Sequence, residues 1–224
     1  MGASGTKTAS THAGIENIRK PSENTDAPQR FWVNTGDAGK FAFTLDGVLS
    51  QQECSSLVSR SESVGYEQAL LNVGFGKQVL DTDTRKSSRC IIDDVDLAQK
   101  LFERVREFLP SSWKGKDIQG LNERLRFLRY APGDYFAPHF DGCYIRPQGH
   151  PRALDQSILT IQFYLNGDFS GGETNFFNRQ DALTAAVRPE PGKVLVFQHD
   201  ILHEGALLSD GTKYVIRTDV MYGT

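Results

Sequence analysis

Cysteine is scarce in this 224-residue chain: only Cys54, Cys90 and Cys143 occur, an odd number at irregular spacing. Such a set makes no disulfide framework, and it fits a reducing, cytoplasmic compartment. No run of about 18 apolar residues exists, which excludes a membrane-spanning helix, and the amino terminus lacks the apolar core of a secretory signal. Positive charge is not in excess. A formal net charge of −3 exerts no pull on nucleic acid, so no nucleic-acid partner is expected. Large apolar side chains are nearly missing from residues 1–30, where Met1, Ile15 and Ile18 stand alone. That stretch cannot bury enough surface to offset its chain entropy, so it reads as a disordered tail ahead of one domain over 31–224.

The tail holds one motif. Met1-Gly2-Ala3-Ser4-Gly5-Thr6 fits the N-myristoylation pattern, with Gly2 exposed once Met1 is removed. A single myristoyl chain gives only marginal, reversible membrane binding, and Lys7, Arg19 and Lys20 are too scattered to add a strong second signal.

Beyond the tail, Lys40 to Leu45 alternates like a half-buried strand. Ser50-Gln51-Gln52-Glu53 is a capping box, and Cys54, Leu57 and Val58 continue one helical face. A second helix is predicted from Asp94 to Leu109, with an apolar stripe of Leu97, Leu101, Val105, Phe108 and Leu109 and a stop at Pro110. Between the helices, residues 72–90 read as a polar, Gly-containing loop.

From about Leu121 the pattern changes to short runs: 125–130, 135–141, 157–166, 173–177, 193–198 and 213–222. Pro132-Gly133-Asp134, Gly171-Gly172 and Pro191-Gly192 punctuate them as turns. Helices followed by many short strands describe an α+β chain with an all-β core, a sandwich or a barrel.

Pro138-His139-Phe140-Asp141 lies on one of these runs. Side chains at i and i+2 of a strand point to one face, so His139 and Asp141 address the same target while Phe140 packs behind them. A lone His-x-Asp is weak evidence. His203, after the 193–198 run and followed by Glu204-Gly205, completes two imidazoles and one carboxylate. On one face of an iron ion they leave the opposite positions open, as a non-haem Fe(II) oxygenase requires for cosubstrate and O₂. Zinc with these ligands would keep one open position, need a separate base and perform no redox chemistry. His199 shares the parity of His203 and is its rival as third ligand. Lys213 opens the last run and Arg217 follows on the same face, so either cation can answer the distal carboxylate of a diacid cosubstrate. Arg124, Arg126 and Arg129 read as barrel-surface cations, His150 as an exposed loop residue and Cys143 as a packed thiol.

The chain resembles the prolyl 4-hydroxylase-like branch of the Fe(II)/2-oxoglutarate-dependent dioxygenases. The matching stretches run from Tyr130-Ala131-Pro132-Gly133 to His139-Phe140-Asp141, then Thr160 to Asn166, Gly171-Gly172-Glu173-Thr174, and His203-Glu204-Gly205 through Lys213-Tyr214. The resemblance covers roughly 121–222 and implies a double-stranded β-helix, or jelly roll, supported by amino-terminal helices. It also implies that His139, Asp141 and His203 hold Fe(II) and that 2-oxoglutarate binds Tyr130, Thr160, Tyr164 and Lys213. Arg217 departs from the family pattern, either reinforcing that end of the pocket or substituting for Lys213. The implied reaction is hydroxylation of a C–H bond with release of succinate and CO₂, ascorbate keeping the iron reduced. A prolyl residue in a peptide or protein is the first choice of substrate. Another residue, a small metabolite, or a non-catalytic jelly-roll binding module stay open, although intact Tyr130 and Lys213 speak against the last. The loops 72–90 and 142–156 are the expected substrate contacts.

Overall fold

The computed structural model describes residues 28–72 and 77–224. The expected 1–30 tail lies almost wholly outside them, while Gln29 and Arg30, assigned to that tail, belong to the strand Gln29–Val33. Strands of three or more residues are β1 (Gln29–Val33), β2 (Ala42–Asp46), β3 (Ser88–Asp93), β4 (Lys116–Leu121), β5 (Arg124–Tyr130), β6 (Tyr135–His139), β7 (Gln156–Tyr164), β8 (Thr174–Phe177), β9 (Leu183–Val187), β10 (Val194–Gln198), β11 (His203–Gly205), β12 (Leu208–Asp210) and β13 (Lys213–Gly223). The large sheet runs β1-β2-β10-β7-β13-β5-β3, with β4 on the far half of β13. The small sheet runs β9-β8-β11-β6 and ends on the Arg85–Lys86 pair. Strands ahead of residue 121 therefore complete the jelly roll. The "loop" 72–90 contributes Arg85–Lys86 to one sheet and opens into β3 of the other.

Helix α1 (Gln51–Val64) starts where expected. Ser50 accepts from the Glu53 backbone N–H, the Glu53 side chain returns to the Ser50 N–H (2.8 Å), and Gly65 at φ 96° ends it. Glu53 also meets Arg104 at 2.7 Å, tying α1 to α2 (Val95–Val105). Asp94 caps α2 through the Leu97 N–H (2.9 Å). The last predicted turn of this helix is instead a 3₁₀ turn over Arg106–Phe108, the tightening common at helix ends. Neither helix is long and apolar enough to cross a membrane.

Both faces of the large sheet are covered, so the two cores alternate along each strand. One set of residues, including Phe127, Ile161, Phe163 and Ile216, packs against Leu57, Leu97 and Leu101 of the helices. The other set, including Leu128, Tyr164, Phe197 and Val215, meets Phe176 of the small sheet inside the roll. At the Pro191-Gly192 turn the backbones pack so closely that a Cβ on Gly192 would lie 2.0 Å from the Leu49 carbonyl. That turn anchors the entry to α1, since Val48 and Leu49 donate to the Gly192 carbonyl (3.0 and 3.3 Å).

Candidate active site

His139 and His203 face each other across the β6/β11 ladder. Opposed residues of an antiparallel pair lie close enough to touch, and here the ring centroids are 4.3 Å apart. The β6 strand ends at His139, two residues short of expectation. Asp141 still stays beside the pair, because its N–H donates to the His199 carbonyl (3.0 Å). The Asp141 carboxylate lies 3.9 Å from His139 Nε2 and 3.7 Å from His203 Nε2. One donor atom from each residue falls within 4.8 Å of the others.

The backbone sets the tautomers. Each Nδ1 meets a carbonyl two residues back, Ala137 for His139 (2.8 Å) and Ile201 for His203 (2.9 Å). A carbonyl only accepts, so Nδ1 carries the proton and Nε2 keeps its lone pair towards Asp141. Burial, helped by the neighbouring His203, pushes His139 down to about 3, and burial also lowers His203. Burial alone would raise Asp141, but the Arg217 guanidinium beside it holds the carboxyl well below the usual carboxylate range. Two neutral imidazoles and one ionised carboxylate are the protonation states a divalent metal needs. The donor set and its geometry fit iron(II).

Phe140 does not pack behind these ligands: it is 61% exposed at the pocket mouth. Phe136 does that work, stacking on His139 at 3.5 Å, while Phe197 meets His203 edge-on at 4.5 Å. His199 is buried away from the cluster, its Nε2 3.6 Å from Asp219. Cys143 is an exposed thiol on the pocket rim rather than a packed one.

A cavity of about 460 Å³ joins the triad to Lys213. Lys213 faces Tyr130 across the β5/β13 ladder, buried, with its Nζ donating to the Gly172 carbonyl (2.6 Å). The ammonium lies 5.1 Å from the Tyr130 ring and 5.7 Å from the Tyr164 ring. Burial pushes Lys213 down to about 8, opposed in part by Glu173. The Tyr164 hydroxyl shares a hydrogen bond with Thr174 (2.7 Å), which reaches Gln162 at 3.4 Å. One cation among neutral oxygens is a ready seat for a carboxylate. Thr160 and Arg217 sit elsewhere, at the triad. Thr160 donates to the Asp141 carboxylate, and Arg217 bridges Asp141 (3.1 Å) and Asp219 (3.2 Å). Parity puts both on the inner face, but Arg217 lies two pleat repeats along β13 from Lys213, and Thr160 pairs with Asp219 still further along. A larger, open groove of about 830 Å³ between α1 and the Arg188–Pro191 turn holds none of these groups.

Several lining residues were not anticipated. Arg126 turns inward, 3.4 Å from Asp219, while Arg124 and Arg129 stay outside on Asp93 and Glu62. Its even spacing from Leu128 and Tyr130 was the available signal. Arg85, from the supposed loop, also lines the cavity. Gln162 and Thr174 complete the Lys213 end.

The family profile described as the 2OG-Fe(II) oxygenase superfamily matches residues 125–218. A putative prolyl 4-hydroxylase of Acanthamoeba polyphaga mimivirus is 24% identical over 198 residues, 82% of this chain and 75% of the viral one. The probable prolyl 4-hydroxylase 8 of Arabidopsis thaliana is 26% identical over 140 residues, 60% of this chain and 44% of the plant protein, so the chain spans under half of that relative. Among solved structures, the collagen prolyl hydroxylase of Paramecium Bursaria Chlorella virus-1 in complex with 2OG has a TM-score of 0.57 at 23% identity, covering 83% of this chain and 98% of the viral one. A Trichoplax adhaerens prolyl hydroxylase in complex with a hypoxia inducible factor peptide has a TM-score of 0.57 at 14% identity, covering 94% of this chain and 88% of that one. These structures share the jelly-roll fold.

Proposed function

We propose, for a chain that belongs to the prolyl 4-hydroxylase-like 2OG-Fe(II) oxygenases, that it hydroxylates a prolyl residue of a peptide or protein. The supporting observation is the convergence of His139, Asp141 and His203 at one end of a cavity whose other end holds a buried lysine. Prolyl 4-hydroxylases among the relatives support the choice of substrate.

His139, Asp141 and His203 would hold Fe(II), with Nε2 of each imidazole and one carboxylate oxygen as donors. With 2-oxoglutarate and O₂, the bound iron supplies the chemistry that puts one oxygen atom into the substrate C–H bond and the other into succinate, releasing CO₂. The chain's own residues orient and exclude. Lys213 takes the distal carboxylate of 2-oxoglutarate, with Tyr130 and Tyr164 walling the ammonium off from water. A carboxylate partner also offsets the burial that weakens the free ammonium. Arg217 and Thr160 hold the Asp141 carboxylate in register with the two imidazoles, which the backbone carbonyls of Ala137 and Ile201 keep from turning. The rim residues Gly142 to Tyr144 and the 78–89 segment border the substrate's entry. Three free thiols suit a reducing compartment, and we place the protein in the cytoplasm.

Purified protein with Fe(II), ascorbate and 2-oxoglutarate will release succinate, faster when a proline-containing peptide is the substrate. Mass spectrometry of the peptide will find one added oxygen on proline. Succinate release that no proline-containing peptide stimulates, or an oxygen on another residue, would overturn the prolyl assignment.

A further inference from the structure

The cavity walls carry more positive than negative charge. Arg85, Arg89, Arg126, Lys213 and Arg217 reach the cavity, against Asp141, Glu204 and Asp219. Iron(II) and a 2-oxoglutarate dianion cancel each other, so loading the site leaves the surplus in place. Most of these cations are answered. Arg89 meets Glu67 (3.0 Å), Arg217 bridges Asp141 and Asp219, and Arg126 shares Asp219 at 3.4 Å. On the reading above, Lys213 meets the cosubstrate.

Arg85 is left over. Among the described residues no carboxylate lies within 4.0 Å of its guanidinium. Its Nε donates to Ser87 Oγ (3.0 Å), and the guanidinium carbon stands 4.7 Å from the Phe136 ring. Phe136 is its cross-strand partner and also stacks on His139, so one aromatic ring touches both this cation and a proposed metal ligand. A guanidinium drawn out of water without a counter-charge costs free energy, and its burial lowers the Arg85 pKa. An unpaired, desolvated cation on a cavity wall is one mark of a binding site.

We propose that Arg85 anchors a carboxylate of the substrate, so that the molecule hydroxylated here carries a negative charge close to the reacting carbon. This rests on the oxygenase reading of the cavity and narrows its substrate class. Two sources present the same two-oxygen fork to a guanidinium: a free carboxyl group on the proline itself, or an Asp or Glu side chain next to it.

Matched acid and amide probes separate these sources. Protein loaded with Mn(II) and 2-oxoglutarate is titrated by calorimetry with N-acetyl-proline and its amide, and with N-acetyl-prolyl-aspartamide and N-acetyl-prolyl-asparaginamide. In at least one pair the acid will bind about tenfold tighter or better, and the pair that shows it identifies the source. Arg85→Gln will bring that preference below about threefold, and Arg85→Lys, which keeps the charge, will retain most of it. Equal affinities within both pairs, no binding of either acid, or an acid preference that survives Arg85→Gln overturns the anion site. Succinate release with Fe(II) reports separately on the parent reading. Acids that bind without being hydroxylated refute the prolyl assignment alone, whereas turnover of acids and amides alike upholds it and removes the anion site.

Discussion

The two faces of the large sheet are made by the same strands and have opposite characters. Towards the helices, Phe127, Ile161, Phe163 and Ile216 interdigitate with leucines and carry no charge. Towards the small sheet, their neighbours Arg126, Gln162, Lys213, Arg217 and Asp219 line a polar cavity, and Thr160 donates to Asp141 beside it. The helix side is purely a packing face, whereas the inner face combines a second apolar core with the polar cavity, one residue apart in sequence. The buried charges of the inner face are tolerable because nearly every one has a partner within hydrogen-bonding range. The outer face anchors the strands that hold those partners.

Substitutions on the two faces will separate these roles. The largest effect belongs to Asp141→Ala, which removes a proposed iron ligand and the carboxylate that Arg217 pairs with. Succinate release will fall to background while the chain stays folded by circular dichroism. On the opposite face, Phe163→Ala leaves a cavity in the helix-side core and will destabilise the protein by about 3–5 kcal/mol in denaturant unfolding. Its succinate release per folded molecule will match wild type, and a collapse of that activity would mean that the faces are not independent.

Lys213→Ala comes next. It removes a charge-assisted bond worth about 1.5–3 kcal/mol, so the half-saturating 2-oxoglutarate concentration will rise about tenfold to a hundredfold with kcat less affected. Arg217→Ala will change that constant less. The reverse ranking would show that Arg217 receives the distal carboxylate.

The pH dependence of the same constant is smaller. Burial pushes Lys213 down to about 8, and in the proposed cosubstrate role only its protonated form would attract the dianion. The constant will stay flat below about pH 8 and climb above it as the ammonium is lost, by at most about tenfold per pH unit. Lys213→Arg will abolish this rise, because a guanidinium stays charged throughout that range. Smallest of all, Arg124→Ala on the exposed Asp93 pair will shift stability by no more than about 0.5 kcal/mol.

The convergence of His139, Asp141 and His203 was legible in the sequence because its signals are local: His139 and Asp141 lie two apart on one run, and His203 falls just past another. The capping box at Ser50 and the Pro-Gly and Gly-Gly turns are equally local. Features that depend on distant pairing were hidden. Nothing near Arg85 announces that it joins β6, and the sheet positions of β1, β3 and β4 depend on partners far along the chain. Arg126 was hidden differently. Arginine on a strand ordinarily faces water, and only its parity with Tyr130 placed it inside. Phe140 is the converse, an apolar residue expected inside and found exposed because β6 ends one residue earlier.

The central claim is that three side chains form one iron site on which 2-oxoglutarate binding depends. Anaerobic calorimetry tests it directly. Wild-type protein will bind one Fe(II) per chain and take up 2-oxoglutarate tightly only afterwards, and His203→Ala will lose both. Unchanged iron stoichiometry in that variant, or 2-oxoglutarate binding equally well without metal, would contradict the account.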